Sequence, residues 1–143
     1  MANKITVTYL NVCGLKSKLL IPEFLDLIKL YDIIFFCETK LDSYDLPEGY
    51  SFATKIRKKF ARKSGGIITI YKKIYEKLIK YLNSESEYVQ WVELTDLISS
   101  VNKKVLFGCV YVPPQNSKYS SEGAFNEIEN EYIDFSKNLS THC

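Results

Sequence analysis

An α/β fold is predicted for this chain from three observations. Short runs of alternating or continuous apolar residues recur along it, a helix-period segment separates the first two of them, and aromatic residues make up 14% of the sequence, eleven of them tyrosine. Such a composition suits sheets packed against helices better than a bare helix bundle. At 143 residues and 46% hydrophobic, the chain is long enough for one domain with a core, which excludes a disordered segment. Nineteen basic against seventeen acidic side chains leave a formal charge of only +2, so any attraction for nucleic acid must come from a local patch.

The first strand is expected over Ile5-Thr6-Val7-Thr8-Tyr9-Leu10, whose alternation ends in Asn11 and the turn Val12-Cys13-Gly14-Leu15. Pro22 opens a helix whose stripe is Ile21, Phe24, Leu25 and Ile28. The apolar run Ile33-Ile34-Phe35-Phe36-Cys37 follows as a second strand, parallel to the first because a helical crossover lies between them. From Asp42 to Ser64 the chain reads as a long connection with Pro47, Gly49 and a basic cluster. Gly65-Gly66 then release a buried strand, Ile67-Ile68-Thr69-Ile70-Tyr71, and the stretch Lys73 to Leu82 fits helix or strand equally. Tyr88 to Leu94 and Val105 to Val112 read as antiparallel neighbours joined around Asn102-Lys103-Lys104, the second stopped by Pro113-Pro114. A last helix places Phe125, Ile128, Tyr132, Phe135 and Leu139 on one apolar face.

The four cysteines form no C-x-x-C pair and read as reduced thiols. Lys4 interrupts the start, no signal-peptide pattern follows, and no run is long enough to span a membrane, so an intracellular setting is expected.

Glu38 is the most informative residue. It ends an apolar run, where an ionised carboxylate stripped of water costs several kcal/mol unless a cation or donor meets it. The plain alternative is a strand that stops at Cys37 and leaves the acid in water. Asn11, twenty-seven positions earlier, crowns the other strand of the crossover unit, so the two would emerge side by side where ligands gather in open α/β sheets. An amide oxygen and a carboxylate are hard donors suited to Mg²⁺. Arg57, Lys58, Lys59, Arg62 and Lys63, interleaved with Phe60, form the one dense basic patch, read either as a phosphate-contacting surface or as a solvated loop.

The segments Leu10-Asn11-Val12-Cys13-Gly14-Leu15, Cys37-Glu38-Thr39-Lys40-Leu41, Ser64-Gly65-Gly66-Ile67, Trp91-Val92-Glu93-Leu94 and Val110-Tyr111-Val112-Pro113-Pro114, in that order, resemble the endonuclease/exonuclease/phosphatase superfamily. The nearest resemblance is to the apurinic-type endonuclease domain of non-LTR retrotransposon proteins. It implies a deoxyribonuclease-like two-sheet sandwich with flanking helices and Mg²⁺- or Mn²⁺-dependent cleavage of a phosphodiester bond in DNA. On the resemblance Asn11 is the asparagine of the metal and phosphate site, Glu38 the metal-binding glutamate, and Tyr111 the tyrosine that reaches the scissile phosphate.

The family's Gly-Asp-Phe-Asn segment and its Asp-His pair have no counterpart here, and His142, in Ser140-Thr141-His142-Cys143, lacks their context and reads as a solvated tail. Residues 1–143 are thus expected to be the N-terminal part of such a domain with the C-terminal part absent, inactive alone and prone to aggregate through uncovered apolar surface. Two alternatives stand beside this reading: a non-catalytic, nucleic-acid-binding remnant of a retroelement, or a phosphatase of the same superfamily.

Overall fold

The computed structural model describes residues 4–40, 49–55, 66–95, 104–113 and 123–140. Strand β1 (Val7–Asn11) is followed by a short helix α1 (Leu15–Lys18), helix α2 (Pro22–Lys29) and strand β2 (Ile33–Cys37). Strands β3 (Tyr50–Lys55) and β4 (Ile67–Lys72) come next, then a 3-10 turn at Lys73–Tyr75 and strands β5 (Ile79–Leu82), β6 (Val89–Thr95) and β7 (Lys104–Val110). Helix α3 (Ala124–Ser140) closes the sequence of elements.

Two sheets result, one in the order β1-β2-β4-β3 and one in the order β5-β6-β7. β1 and β2 are parallel, as the crossover predicts, with Val7 opposite Ile33 and Asn11 opposite Cys37. All the other pairings are antiparallel, including that of β6 with β7. α2 begins on Pro22, whose fixed φ and missing N–H suit the first helical turn.

Every residue of β2 is buried, which explains why its sequence is continuously apolar rather than alternating. Ile34 and Phe36 face α1 and α2 in a cluster with Val12, Leu15, Ile28, Ile68 and Ile70. Ile33 and Phe35 face the other way, into an inter-sheet cluster with Ile67, Val92, Leu94 and Cys109. The layers therefore run helix, sheet, sheet, helix, with two apolar interiors that share β2 and β4. Between the sheets the Thr69 hydroxyl donates to Gln90 Oε1, both side chains being fully buried. Gln90 Nε2 has no hydrogen-bond partner among the described residues.

The second sheet's outer face is covered by α3 through Trp91, whose ring lies 5.8 Å from that of Phe135 and 6.4 Å from that of Tyr132. Gly108 sits directly beneath the indole: a Cβ there would lie 2.5 Å from the ring. Glu131 reaches back from α3 to accept from Trp91 Nε1 at 2.9 Å, from the Ser86 N–H at 3.1 Å and from the Ser84 hydroxyl at 2.6 Å.

Two sequence expectations are corrected, and one left open is resolved. The long connection from Asp42 to Ser64 contains β3, whose backbone pairs antiparallel with β4 from Tyr50 opposite Lys72 to Lys55 opposite Ile67. The ambiguous stretch after Lys72 resolves into a 3-10 turn and the edge strand β5. On α3, Phe125 is 71% exposed; the stripe against the sheet runs through Ala124, Ile128, Glu131 and Phe135, with a glutamate where a strictly apolar face was expected. The side chain of Leu139, the basic residues Arg57, Lys58, Lys59, Arg62 and Lys63, and His142 lie outside the described residues.

At the opposite end of the first sheet from Asn11, Asp32 precedes β2 and accepts from both the N–H and the hydroxyl of Thr6 at 2.9 Å, with Lys72 Nζ 3.3 Å away. Burial alone would raise its pKa, but the Thr6 donors and the Lys72 cation outweigh it and hold the carboxyl below its ordinary range. A depressed carboxyl stabilises the fold above its unfolded-state pKa of about 3.9 and loses that contribution as the pH falls through the lower folded value. Acid titration of the wild type should therefore show a stability loss beginning near pH 4, and Asp32→Asn should flatten that part of the curve. Gly108→Ala should cost about 1–3 kcal/mol in urea unfolding, because the indole must move off the strand; an unchanged midpoint would show that Trp91 does not rest on Gly108.

Candidate active site

β1 and β2 end side by side, and their pairing continues past the last strand residues. The Val12 N–H donates to the Cys37 carbonyl at 3.1 Å, the Gly14 N–H to that of Glu38 at 2.7 Å, and the Leu15 N–H to that of Thr39 at 2.9 Å. The two loops are thus zipped together before they diverge. Maintaining this pairing forces unusual backbone: Cys13, Glu38 and Lys40 have φ of 44°, 53° and 52°. A left-handed non-glycine residue costs about 1–2 kcal/mol, so three at one corner mark a conformation held by its surroundings. Gly14, at φ 100°, supplies the position no side chain tolerates well.

Glu38 is half-buried at this corner, and its Oε1 accepts a hydrogen bond from the Tyr111 hydroxyl, which arrives from the end of β7 in the other sheet. The Tyr111 N–H donates to the Tyr88 carbonyl at 2.8 Å, one step beyond the last registered pair of β6 and β7, and this extension aims the phenol across the sheet gap. Asn11 is exposed at the neighbouring tip, its Oδ1 accepting from the Cys13 N–H at 3.2 Å. An amide oxygen carries two lone pairs, so that turn bond still leaves acceptor capacity. The structure thus brings Glu38 and Tyr111 into contact and puts Asn11 on the adjacent strand end.

Two further residues stand at the corner without having been assigned a role from the sequence. Lys40 is exposed with Nζ 3.4 Å from Cys13 Sγ, placing a cation at the rim. Its only sequence signal is its position two residues after Glu38. Tyr9 reads as one more strand tyrosine, yet its hydroxyl lies against Cys37 Sγ. Burial, then the Cys37 contact, pushes the Tyr9 phenol well above its ordinary range, and burial likewise raises the Cys37 thiol. Among the described residues no group of three or more His, Cys, Asp or Glu side chains is placed to hold an ion, and none of the described residues is a histidine.

No protein-family model matches the sequence, and no curated protein matches it. Solved structures do. An AP endonuclease from Leishmania major aligns at a TM-score of 0.59 and 22% identity over 79% of this chain and 41% of its own. A 3' phosphatase from Neisseria, bound to product DNA hairpin, aligns at 0.63 and 15% identity over 95% of this chain and 54% of its own. The chain thus spans about two fifths to one half of the length of these structures. Identities this low speak to architecture alone, and the architecture of this chain is the two-sheet α/β sandwich of the AP endonuclease fold.

Proposed function

We propose that the chain carries the cation- and phosphate-binding corner of a nuclease-type phosphoesterase acting on DNA, in the endonuclease/exonuclease/phosphatase superfamily. The observation that supports it most is the meeting of Glu38 and Tyr111 from two different sheets beside the Asn11 strand tip. Hydrolysis of a phosphate ester in this fold calls for such a cluster of oxygen donors where strands end. The Asn-x-x-Gly-Leu, Glu-Thr and Tyr-x-Pro sequences support a kinship with retroelement endonucleases within that superfamily.

The donor set fits a hard divalent ion. Mg²⁺ keeps several waters and is held through one or two carboxylates, so Glu38, assisted by the Asn11 amide oxygen, is a suitable if weak seat, and Mn²⁺ accepts the same donors. When bound, the ion would polarise a phosphoryl oxygen and offset charge on the departing oxyanion. Each side chain has its own task. Tyr111 fixes the orientation of the Glu38 carboxylate through its hydroxyl, the Asn11 amide nitrogen donates to a phosphate oxygen, and Lys40 draws the anion to the rim. No described residue is a histidine, and we assign no base to activate water. The chemistry proposed for this chain alone is therefore binding, with turnover requiring a base supplied from elsewhere.

A phosphomonoesterase is the second reading, since the 3' phosphatase and the AP endonuclease share this architecture and the fold does not choose between their substrates. Both readings share the corner and differ in the leaving group.

Titration with Mn²⁺ followed by water proton relaxation should show saturable binding that Glu38→Gln weakens at least about tenfold. Equal binding by both proteins would remove Glu38 from the ion's seat. Incubated with Mg²⁺ and supercoiled plasmid, the chain alone should give no nicking above background; robust turnover abolished by Glu38→Ala would overturn the assignment of binding only. For the basic patch, Lys58→Ala with Lys59→Ala should reduce the slope of log K against log salt for duplex DNA by about 2. An unchanged slope takes those lysines off the DNA.

A further inference from the structure

Tyr9 occupies a position that none of the roles above uses, and its hydroxyl touches two strands at once. It lies 2.7 Å from Cys37 Sγ on β2 and 3.4 Å from the Val110 carbonyl oxygen on β7. The donor pattern has one consistent arrangement when both bonds form: Tyr9 O–H donates to the Val110 carbonyl, which can only accept, and the same oxygen accepts from the Cys37 thiol. Cys37 is the residue immediately before Glu38, and Val110 the residue immediately before Tyr111. Tyr9 itself lies two residues before Asn11, on the same side of β1. One phenol therefore ties together the backbone positions from which all three corner residues project.

We propose that Tyr9 is a positioning residue for the corner: its hydroxyl clamps the ends of β2 and β7 at the separation that lets Tyr111 reach Glu38. The need for such a clamp follows from the topology. β1 and β7 are each the last strand of their sheet among the described residues, and no backbone ladder joins one sheet to the other. Glu38 belongs to the first sheet and Tyr111 to the second, so their contact depends on how the two sheets sit, which apolar packing alone sets loosely. On the far flank the Thr69–Gln90 pair performs a similar tie, but between β4 and β6, away from the tips. Tyr9 is the polar link adjacent to the contact itself. Tyr9 is 48% exposed, and removing its hydroxyl alone leaves the ring and its packing in place.

The proposal deepens the function proposed above and rests on it only for its effect on ion binding, so two readouts separate the two. The first needs no ligand: unfolding equilibria of wild type, Tyr9→Phe, Tyr111→Phe and the double variant form a cycle. If Tyr9 holds the Glu38–Tyr111 contact in place, removing the Tyr111 hydroxyl should matter less once the Tyr9 hydroxyl is gone, and the double variant's unfolding constant should depart from the product of the single effects by at least about twofold. Additive effects would overturn the clamp. The second readout is Mn²⁺ affinity, which Tyr9→Phe should weaken about three- to tenfold at an unchanged circular dichroism spectrum, whereas Tyr81→Phe, a half-exposed tyrosine on β5, should leave it alone. If wild type binds no Mn²⁺ but the cycle is non-additive, the clamp stands and the ion site falls. If Mn²⁺ binds and Tyr9→Phe binds it equally well, the corner stands and the clamp falls.

Discussion

Continuation of β1–β2 pairing beyond the strands is the constraint on which the rest of the corner depends. Three backbone bonds, from Val12, Gly14 and Leu15 to Cys37, Glu38 and Thr39, take two loops that would otherwise fan out and hold them parallel for three more residues. Their geometry places Glu38 in a left-handed conformation that a free strand end would avoid. The acid is thereby pointed neither into the apolar interior nor into open water, but toward the gap between the sheets where Tyr111 meets it. A carboxylate presented by rigid backbone keeps its position without being refunded the rotational freedom that a surface loop would retain.

The two apolar interiors give that corner a stable base. One lies under α1 and α2, the other between the sheets, and β2 contributes alternate residues to both. Loss of packing on either side would shift β2, and with it Cys37 and the backbone of Glu38. The other end of β2 is fixed by polar groups instead, with Asp32 joining Thr6 and Lys72 across three strands. The strand is anchored by charge at its beginning and by packing along its length, which leaves its tip to be set by hydrogen bonds.

Much of this was legible in residues 5–41 and 105–114. A continuous apolar run before an acid, a helix opening on Pro22 and an apolar run ahead of Pro113 are local signals, and the elements built on them match, with β7 ending at Val110 rather than Val112. What stayed hidden depends on distant partners. β3 lies in a stretch punctuated by Pro47 and Gly49, and it is defined by its pairing with β4, a partner that local sequence does not reveal. The misread α3 face follows from Glu131: a glutamate on a helix reads as solvent-facing until Ser84, Ser86 and Trp91 offer it donors. Tyr9 and Lys40 lie in recognised segments, but nothing in those segments marks their side chains, whose places come from tertiary contacts of 2.7 Å and 3.4 Å.

The buried Thr69–Gln90 pair has a consequence for uniqueness rather than strength. Apolar layers can slide: moving one sheet over the other by a residue exchanges one branched side chain for another at modest cost. Here such a slip would part a hydroxyl from its amide in a buried layer, beside a Gln90 donor that has no partner among the described residues. The pair acts as a registration pin, because every near-native stacking must break it.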